Sequence, residues 1–257
     1  MAPILELKNI TKIYETERKK VVAIDNVSLT IEPNEFISIV GPSGCGKSTL
    51  LRMVAGLENT TTGEILFENK PIKGPSAERG MVFQQYTLLP WKTVLDNVAF
   101  GLEIRGVNKE KRLKIAKDFI KLIGLSGFEN SYPYELSGGM QQRVAIARTL
   151  ANDPKIVLMD EPFGALDTQT RVILQKELLN IWEKDKKTVL FITHSVEEAV
   201  YLSDRVLIMS ARPGKIKDTI NINIDRPRRR SSPEFIKYKD KIVNILKEEV
   251  MKSYNKI

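Results

Sequence analysis

The chain has very little cysteine. Cys45 is the only one among 257 residues, so no internal disulfide exists and a reducing setting fits. It has no apolar run near the ~18 residues of a membrane-spanning helix. Its start, Met1-Ala2-Pro3-Ile4-Leu5-Glu6, lacks a basic segment followed by an apolar one, so no signal peptide is expected. Internal repeats, low-complexity stretches and sustained heptads are also missing, which argues against solenoids and coiled coils. What remains is ordinary for a globular protein: 42% hydrophobic and 28% charged residues, enough for one domain or one domain with an inserted subdomain. The net charge of +8 is unevenly spread. Ten Lys/Arg stand against five Asp/Glu from Asn221 onward. Evenly distributed basicity would favour a nucleic-acid partner. A basic tail reads as solvated surface, or as a segment working close to anionic lipid.

The most specific feature present is Gly41-Pro42-Ser43-Gly44-Cys45-Gly46-Lys47-Ser48. It follows the apolar run Phe36–Val40 and precedes a helical pattern from Thr49 to Leu57. Strand, glycine-rich loop and helix together make a phosphate-binding loop. The glycines let backbone N–H groups point inward at phosphate oxygens, and the helix N-terminus adds partial positive charge. Lys47 is expected to reach the β- and γ-phosphates and the Ser48 hydroxyl to hold Mg²⁺. Cys45, beside Lys47 and the helix start, is expected to be a reactive thiol of lowered pKa wherever solvent reaches it.

Around this loop the texture is α/β. Strands are predicted at Val21–Ile31, Glu64–Phe67, Gly80–Phe83, Lys155–Met159, Thr188–Ile192 and Arg205–Met209. Between about 93 and 150 the pattern turns helical: one helix with Val94 and Val98, a second from Leu113 to Leu122, a third over Met140–Leu150. Thr168–Glu183 is a further helix. Ser195-Val196-Glu197-Glu198 has the capping-box pattern and opens a helix to Leu202. Phe235–Met251 is amphipathic.

Two more motifs carry chemistry. Ile156–Met159 leads into Asp160-Glu161, two carboxylates at a strand end, where ligands bind in open parallel sheets. The first can hold Mg²⁺ and the second can deprotonate a water. Leu136-Ser137-Gly138-Gly139-Met140 precedes a helix and offers a hydroxyl and bare N–H groups to an anion.

In combination these motifs resemble the ATP-binding-cassette ATPases over nearly the whole chain. Gly41–Ser48 matches the Walker A loop, with Thr49 following it in the nucleotide-contacting set. Gln84 matches the Q-loop glutamine, which also bears on the metal. Leu136–Met140 matches the family signature except that Met140 stands where glutamine is usual; Gln141 follows and is counted with Ser137, Gly138 and Gly139 as nucleotide-contacting. Asp160 matches the Walker B aspartate, Glu161 the catalytic glutamate, Ala165-Leu166-Asp167 the D-loop and His194 the switch histidine. Tyr14 stands where the family has an aromatic that stacks on adenine. Two further stretches, Tyr86–Trp91 with Thr93–Val98 and Ser210-Ala211-Arg212-Pro213-Gly214-Lys215-Ile216, look like the ATPase subunits of nitrate, sulfonate and taurine importers.

The resemblance implies a P-loop NTPase with a RecA-like α/β core, an antiparallel β portion and an inserted helical subdomain. The expected division is a catalytic core over 1–87 and 154–220, a helical signature subdomain over 88–153, and a basic C-terminal segment over 221–257. It further implies ATP and Mg²⁺ as cofactors, and Lys47, Gln84, Glu161 and His194 in catalysis. A second copy of the chain would complete each site through its signature segment. A multi-span permease and, indirectly, an extracytoplasmic solute-binding protein are the other expected partners. The setting is peripheral, on the cytoplasmic face of the membrane. The solute class is nitrate, sulfonate, taurine or bicarbonate, and no nucleic acid is expected. The alternative is a cassette ATPase acting on nucleic acid or ribosomes, which a second cassette or long coiled coils would favour; neither is in the sequence.

Overall fold

A computed structural model describes residues 2–16, 19–164, 166–185 and 187–254. Ala165 of the expected D-loop lies outside the described residues. The chain divides into two compact units, Met1–Pro75 with Lys187–Ile257, and Ser76–Lys186.

The first unit opens with β1 (Leu5–Thr16), β2 (Lys19–Ile31), β3 (Phe36–Val40), α1 (Lys47–Ala55), β4 (Thr62–Phe67) and β5 (Lys70–Pro71). The second holds β6 (Arg79–Val82), α2 (Val94–Ile104), α3 (Lys109–Leu122), α4 (Gly138–Leu150), β7 (Ile156–Asp160) and α5 (Thr168–Asp185). The chain then returns to the first unit with β8 (Thr188–Ile192), α6 (Val196–Leu202), β9 (Arg205–Met209), β10 (Ile216–Asn221) and α7 (Pro233–Tyr254).

Within the first unit β1 pairs antiparallel with β2 and with β4, and β4 with β5. β1 was not expected as a strand. Its alternation is interrupted by register shifts after Leu7 and after Ile10, and each bulge flips the side-chain phase. A parallel group sits beside that sheet in the same unit. β3 lies between β8 and β9, parallel to both, and β10 adds antiparallel to β9. All five residues of β3 and of β8 are buried. That is why both read as continuous apolar runs, as strands covered on both faces do. Phe36 and Phe191 meet at 5.9 Å between ring centres, an edge-contact range for aromatic pairs.

In the second unit β6 pairs parallel with β7. Helices α2, α3 and α4 share an apolar core that includes Val98, Ala116, Ile120 and Val144. Their starts are capped by side chains: Thr93 accepts from the Asp96 amide, Asn108 from the Glu110 amide and Ser137 from the Met140 amide. Each such cap is worth about 1 kcal/mol. Among the described residues no helix is long and apolar enough to cross a membrane.

Candidate functional site

In the first unit, the three neighbouring parallel strands β9, β3 and β8 release their chains at one end. β3 runs into Gly41–Ser48, β8 into Thr193-His194 and β9 into Ser210. The loop after β3 turns sharply into α1 through Gly46, whose φ is 105° and which caps the helix in a left-handed conformation. A Cβ there would lie 2.6 Å from Ile24 Cδ1 and 2.9 Å from the Ala23 carbonyl oxygen, so only glycine fits. Lys47 is 5% exposed. Its ammonium donates to the Gly41 and Pro42 carbonyl oxygens, each at 2.9 Å. A buried cation is thus held across the loop by neutral acceptors, an arrangement that suits an anion.

Cys45 corrects the expectation of a reactive thiol. It is 1% exposed. Burial pushes its pKa above the ordinary thiol value, and this outweighs the lowering by Lys47. The Lys47 ammonium is 3.8 Å from its sulfur; desolvation of the thiolate wins because the thiol is enclosed.

Tyr14, on β1, is 3.4 Å from the Thr49 hydroxyl, with the Lys12 ammonium 5.1 Å from its ring centre. Burial and the Glu58 carboxylate raise its phenol pKa. Tyr14 is 39% exposed beside the start of α1. His194 is exposed too. The segment around it is fixed by hydrogen bonds. The Ser195 amide donates to the Thr193 hydroxyl at 3.0 Å, and the Glu198 amide to the Ser195 hydroxyl at 3.3 Å. The Glu198 carboxylate accepts from the Thr193 hydroxyl. That differs from the expected capping box: the Glu198 side chain goes to Thr193, which leads out of the strand.

In the second unit, β6 and β7 end side by side, in parallel. Asp160, the last residue of β7, is 5% exposed. Glu161 follows with φ 48°, a left-handed conformation that costs a residue with a side chain roughly 1–2 kcal/mol and is typical of functional positions. The Gln84 amide donates to the Glu161 carboxylate at 3.3 Å. Ser137 stands exposed at the start of α4. The Gln141 amide is donated to the Pro133 and Leu136 carbonyls at 3.0 and 3.1 Å, so Gln141 binds the loop that carries the signature. Asp167 accepts from the Gln169 and Thr170 amides, and hydrogen bonding to Thr170 holds its carboxyl below the usual range. Among the described residues no cluster of three or more His, Cys, Asp or Glu could hold a metal ion by itself.

Two arginines near these segments were given no contact from the sequence. Arg148 donates to the Thr87 carbonyl at 2.8 Å, to the Thr87 hydroxyl at 3.0 Å and to the Tyr86 carbonyl at 3.3 Å, holding the segment just after Gln84. Arg212 donates twice to the Gly44 carbonyl, at 3.2 and 3.0 Å. Both act on backbone acceptors, which have no signature in a sequence.

Comparison with known proteins bears on these geometries. The family described as ABC transporter matches residues 24–164. An uncharacterized ABC transporter ATP-binding protein of Methanocaldococcus jannaschii is 64% identical over 249 residues, 97% of this chain and 93% of that protein. The nitrate import ATP-binding protein NrtD of Synechocystis sp. is 46% identical over 252 residues, 95% of each. Among solved structures, a dimeric ATP-binding cassette in a post-hydrolysis state bound to ADP and Pi aligns with a TM-score of 0.78. It is 36% identical and covers 86% of this chain and all of that one.

Proposed function

The chain belongs to the ABC transporter family, a family of ATPases, and from that membership we propose that it powers a multi-subunit membrane importer. The solute class in this reading is a small anionic or sulfur- or nitrogen-containing molecule: nitrate, a sulfonate, taurine or bicarbonate. The nitrate-import relative supports it, together with the sequence segments Tyr86–Trp91 and Ser210–Ile216.

The proposed chemistry follows from the residues. Gly41–Thr49 wraps the phosphates and Lys47 exchanges its loop carbonyls for phosphate oxygens. Tyr14 offers its exposed ring to the adenine. Ser48, Gln84 and Asp160 would hold Mg²⁺, which neutralises phosphate charge when bound; one buried carboxylate with neutral oxygens is the donor set Mg²⁺ takes when phosphates complete its shell. Glu161 takes the proton of the attacking water, and His194 orients the terminal phosphate. Phosphoryl transfer needs positioning and charge stabilisation more than covalent chemistry, and these side chains supply both. Ser137, Gly138 and Gly139 complete the site of a second copy, so that ATP holds the pair together and its hydrolysis releases it. The dimeric cassette structure supports the pairing of two copies. Trp91 and Ile104, each 71% exposed, and the groove lined by Met81, Phe100 and Arg148 form the proposed permease-facing surface. A solute-binding protein acts on the far side of that permease, and the chain works peripherally at the cytoplasmic face.

The observation that carries the catalytic assignment is the left-handed Glu161 after buried Asp160, with its carboxylate held by Gln84. Glu161→Gln is expected to bind ATP and to lower turnover about a hundredfold or more, the range of a general base. Size-exclusion chromatography with ATP should then show a dimer. Near-normal turnover removes Glu161 from the role.

A further inference from the structure

The turn Ser210–Lys215 has no part in the chemistry above, yet it lies against the outside of the phosphate loop. We propose that this turn braces the loop and that Arg212 is a positioning residue for nucleotide, acting through the Gly44 peptide and anchored by Glu249 of α7. The inference rests on the reading that Gly41–Ser48 holds nucleotide phosphates.

The geometry is specific. The Arg212 guanidinium grips the Gly44 carbonyl oxygen through two nitrogens. Gly214 packs on the next carbonyl along; a Cβ at Gly214 would overlap the Cys45 carbonyl oxygen. Two successive carbonyls of the phosphate loop are therefore covered from one side by one turn. The N–H of the Gly44–Cys45 peptide turns back on the Pro42 carbonyl at 3.3 Å, so the bond from Arg212 to the other end of that peptide fixes a closed turn of the loop. Hydrogen bonds to a carbonyl also polarise its peptide and strengthen its N–H as a donor.

The turn is stiff enough to act as a brace. Ser210 donates its amide to the Lys215 carbonyl at 2.9 Å. Its hydroxyl bonds the Ala211 and Pro213 carbonyls at 3.0 and 2.9 Å and accepts from the Lys215 amide at 3.0 Å. Gly214 exchanges backbone hydrogen bonds with Ala23 and Asp25 of β2, at 2.9 and 3.0 Å. From the other side, the Ala211 amide donates to the Glu249 carboxylate at 3.2 Å. Glu249 is 3% exposed and also faces Lys217 at 3.7 Å. A path of packed contacts thus runs from the C-terminal helix through the turn to the phosphate loop. A glycine-rich loop is conformationally soft, and holding it in its binding shape reduces the ordering cost of binding.

Because the braced loop would wrap phosphates common to ATP and ADP, truncation should weaken both equally. Arg212 is exposed, so Arg212→Ala does not endanger folding. In the full chain with Mg²⁺, Arg212→Ala is expected to raise the ADP dissociation constant by calorimetry and the KM for ATP by the same factor, about fivefold for one net hydrogen bond. The kcat should stay within about twofold, since one such bond is far smaller than the contribution of a catalytic group. Arg212→Lys keeps the charge but loses the fork, and should behave like Arg212→Ala. Glu249→Ala should show the same rise and add nothing to it in the double variant. Restored affinity in Arg212→Lys overturns the brace in favour of a simple charge near the phosphates, and unchanged ADP affinity in Arg212→Ala overturns it outright. Failure of the wild-type chain to bind ADP removes the underlying nucleotide assignment, a result distinct from both.

Discussion

Lys47 and Cys45 stand two residues apart in one loop and illustrate how environment decides a side chain's chemistry. The Lys47 ammonium is buried but hydrogen-bonded to two carbonyls, which holds it in the loop where a phosphate would lie. Lys47→Ala should lower MgATP affinity about ten- to a hundredfold, the range for a charged hydrogen bond, measured by equilibrium binding. The Cys45 thiol is enclosed, and burial raises its pKa despite the nearby lysine. A raised thiol pKa means that less thiolate is present at any pH through the ordinary thiol range. Maleimide labelling of the native protein should therefore be slow and indifferent to MgATP, and should become fast on denaturation. Fast native labelling followed by mass spectrometry would contradict the buried placement. Proximity to Lys47 is legible in sequence; the shell that excludes water from Cys45 is made by residues far along the chain, and is not.

Among the elements, α6 shows what the basic C-terminal segment does. Arg228 is 5% exposed and lies behind the end of that helix. It donates to the Val200 and Ser203 carbonyls, each at 2.6 Å, and to those of Ile222 and Ile224 at 3.2 and 2.9 Å. The last carbonyls of a helix lack intrahelical partners and carry negative partial charge, so a guanidinium satisfies them well. Burial, and secondarily Arg226, lowers the Arg228 pKa to about 10, still charged at neutral pH. Arg226 pairs with Asp204 at 2.6 Å and Arg230 with Glu197 at 2.9 Å, the latter lying 3.7 Å over the Tyr201 ring. Three of the four arginines that read as solvated or lipid-facing are therefore held by partners in the fold, Arg228 buried and Arg226 and Arg230 partly so. Arg228→Ala leaves several buried carbonyls unsatisfied and should cost about 2–4 kcal/mol, seen as a lower denaturant midpoint. His194 is the only histidine, so its imidazole Cε1–H gives one NMR signal. That signal should shift in the variant, because α6 begins beside it.

For the whole molecule, the proposed two-copy site makes activity a property of association. Turnover per chain should rise with protein concentration. Gly138→Asp should retain ATP binding in the isolated chain and lose hydrolysis, since in the proposed site its side chain would face the partner's nucleotide once the Tyr86 hydroxyl, 2.8 Å from the added Cβ, has shifted. If calorimetry shows that this variant has lost nucleotide affinity, the signature segment belongs to its own chain's site and the two-copy reading fails.

The sequence alone determined what depends on short spacing and local pattern. The loop Gly41–Ser48, the strand ending at Asp160 and the buried strands Phe36–Val40 and Thr188–Ile192 are each written within a dozen residues, because turn geometry and burial on both faces are local requirements. Only the tertiary structure decided what depends on distant backbone. β1 hid behind its bulges, and the Glu198 carboxylate turned to Thr193. Arg148, Arg212 and Arg228 found carbonyls 61, 168 and 28 residues away in the chain. A carbonyl is present at every residue, so no sequence pattern marks which one an arginine will hold.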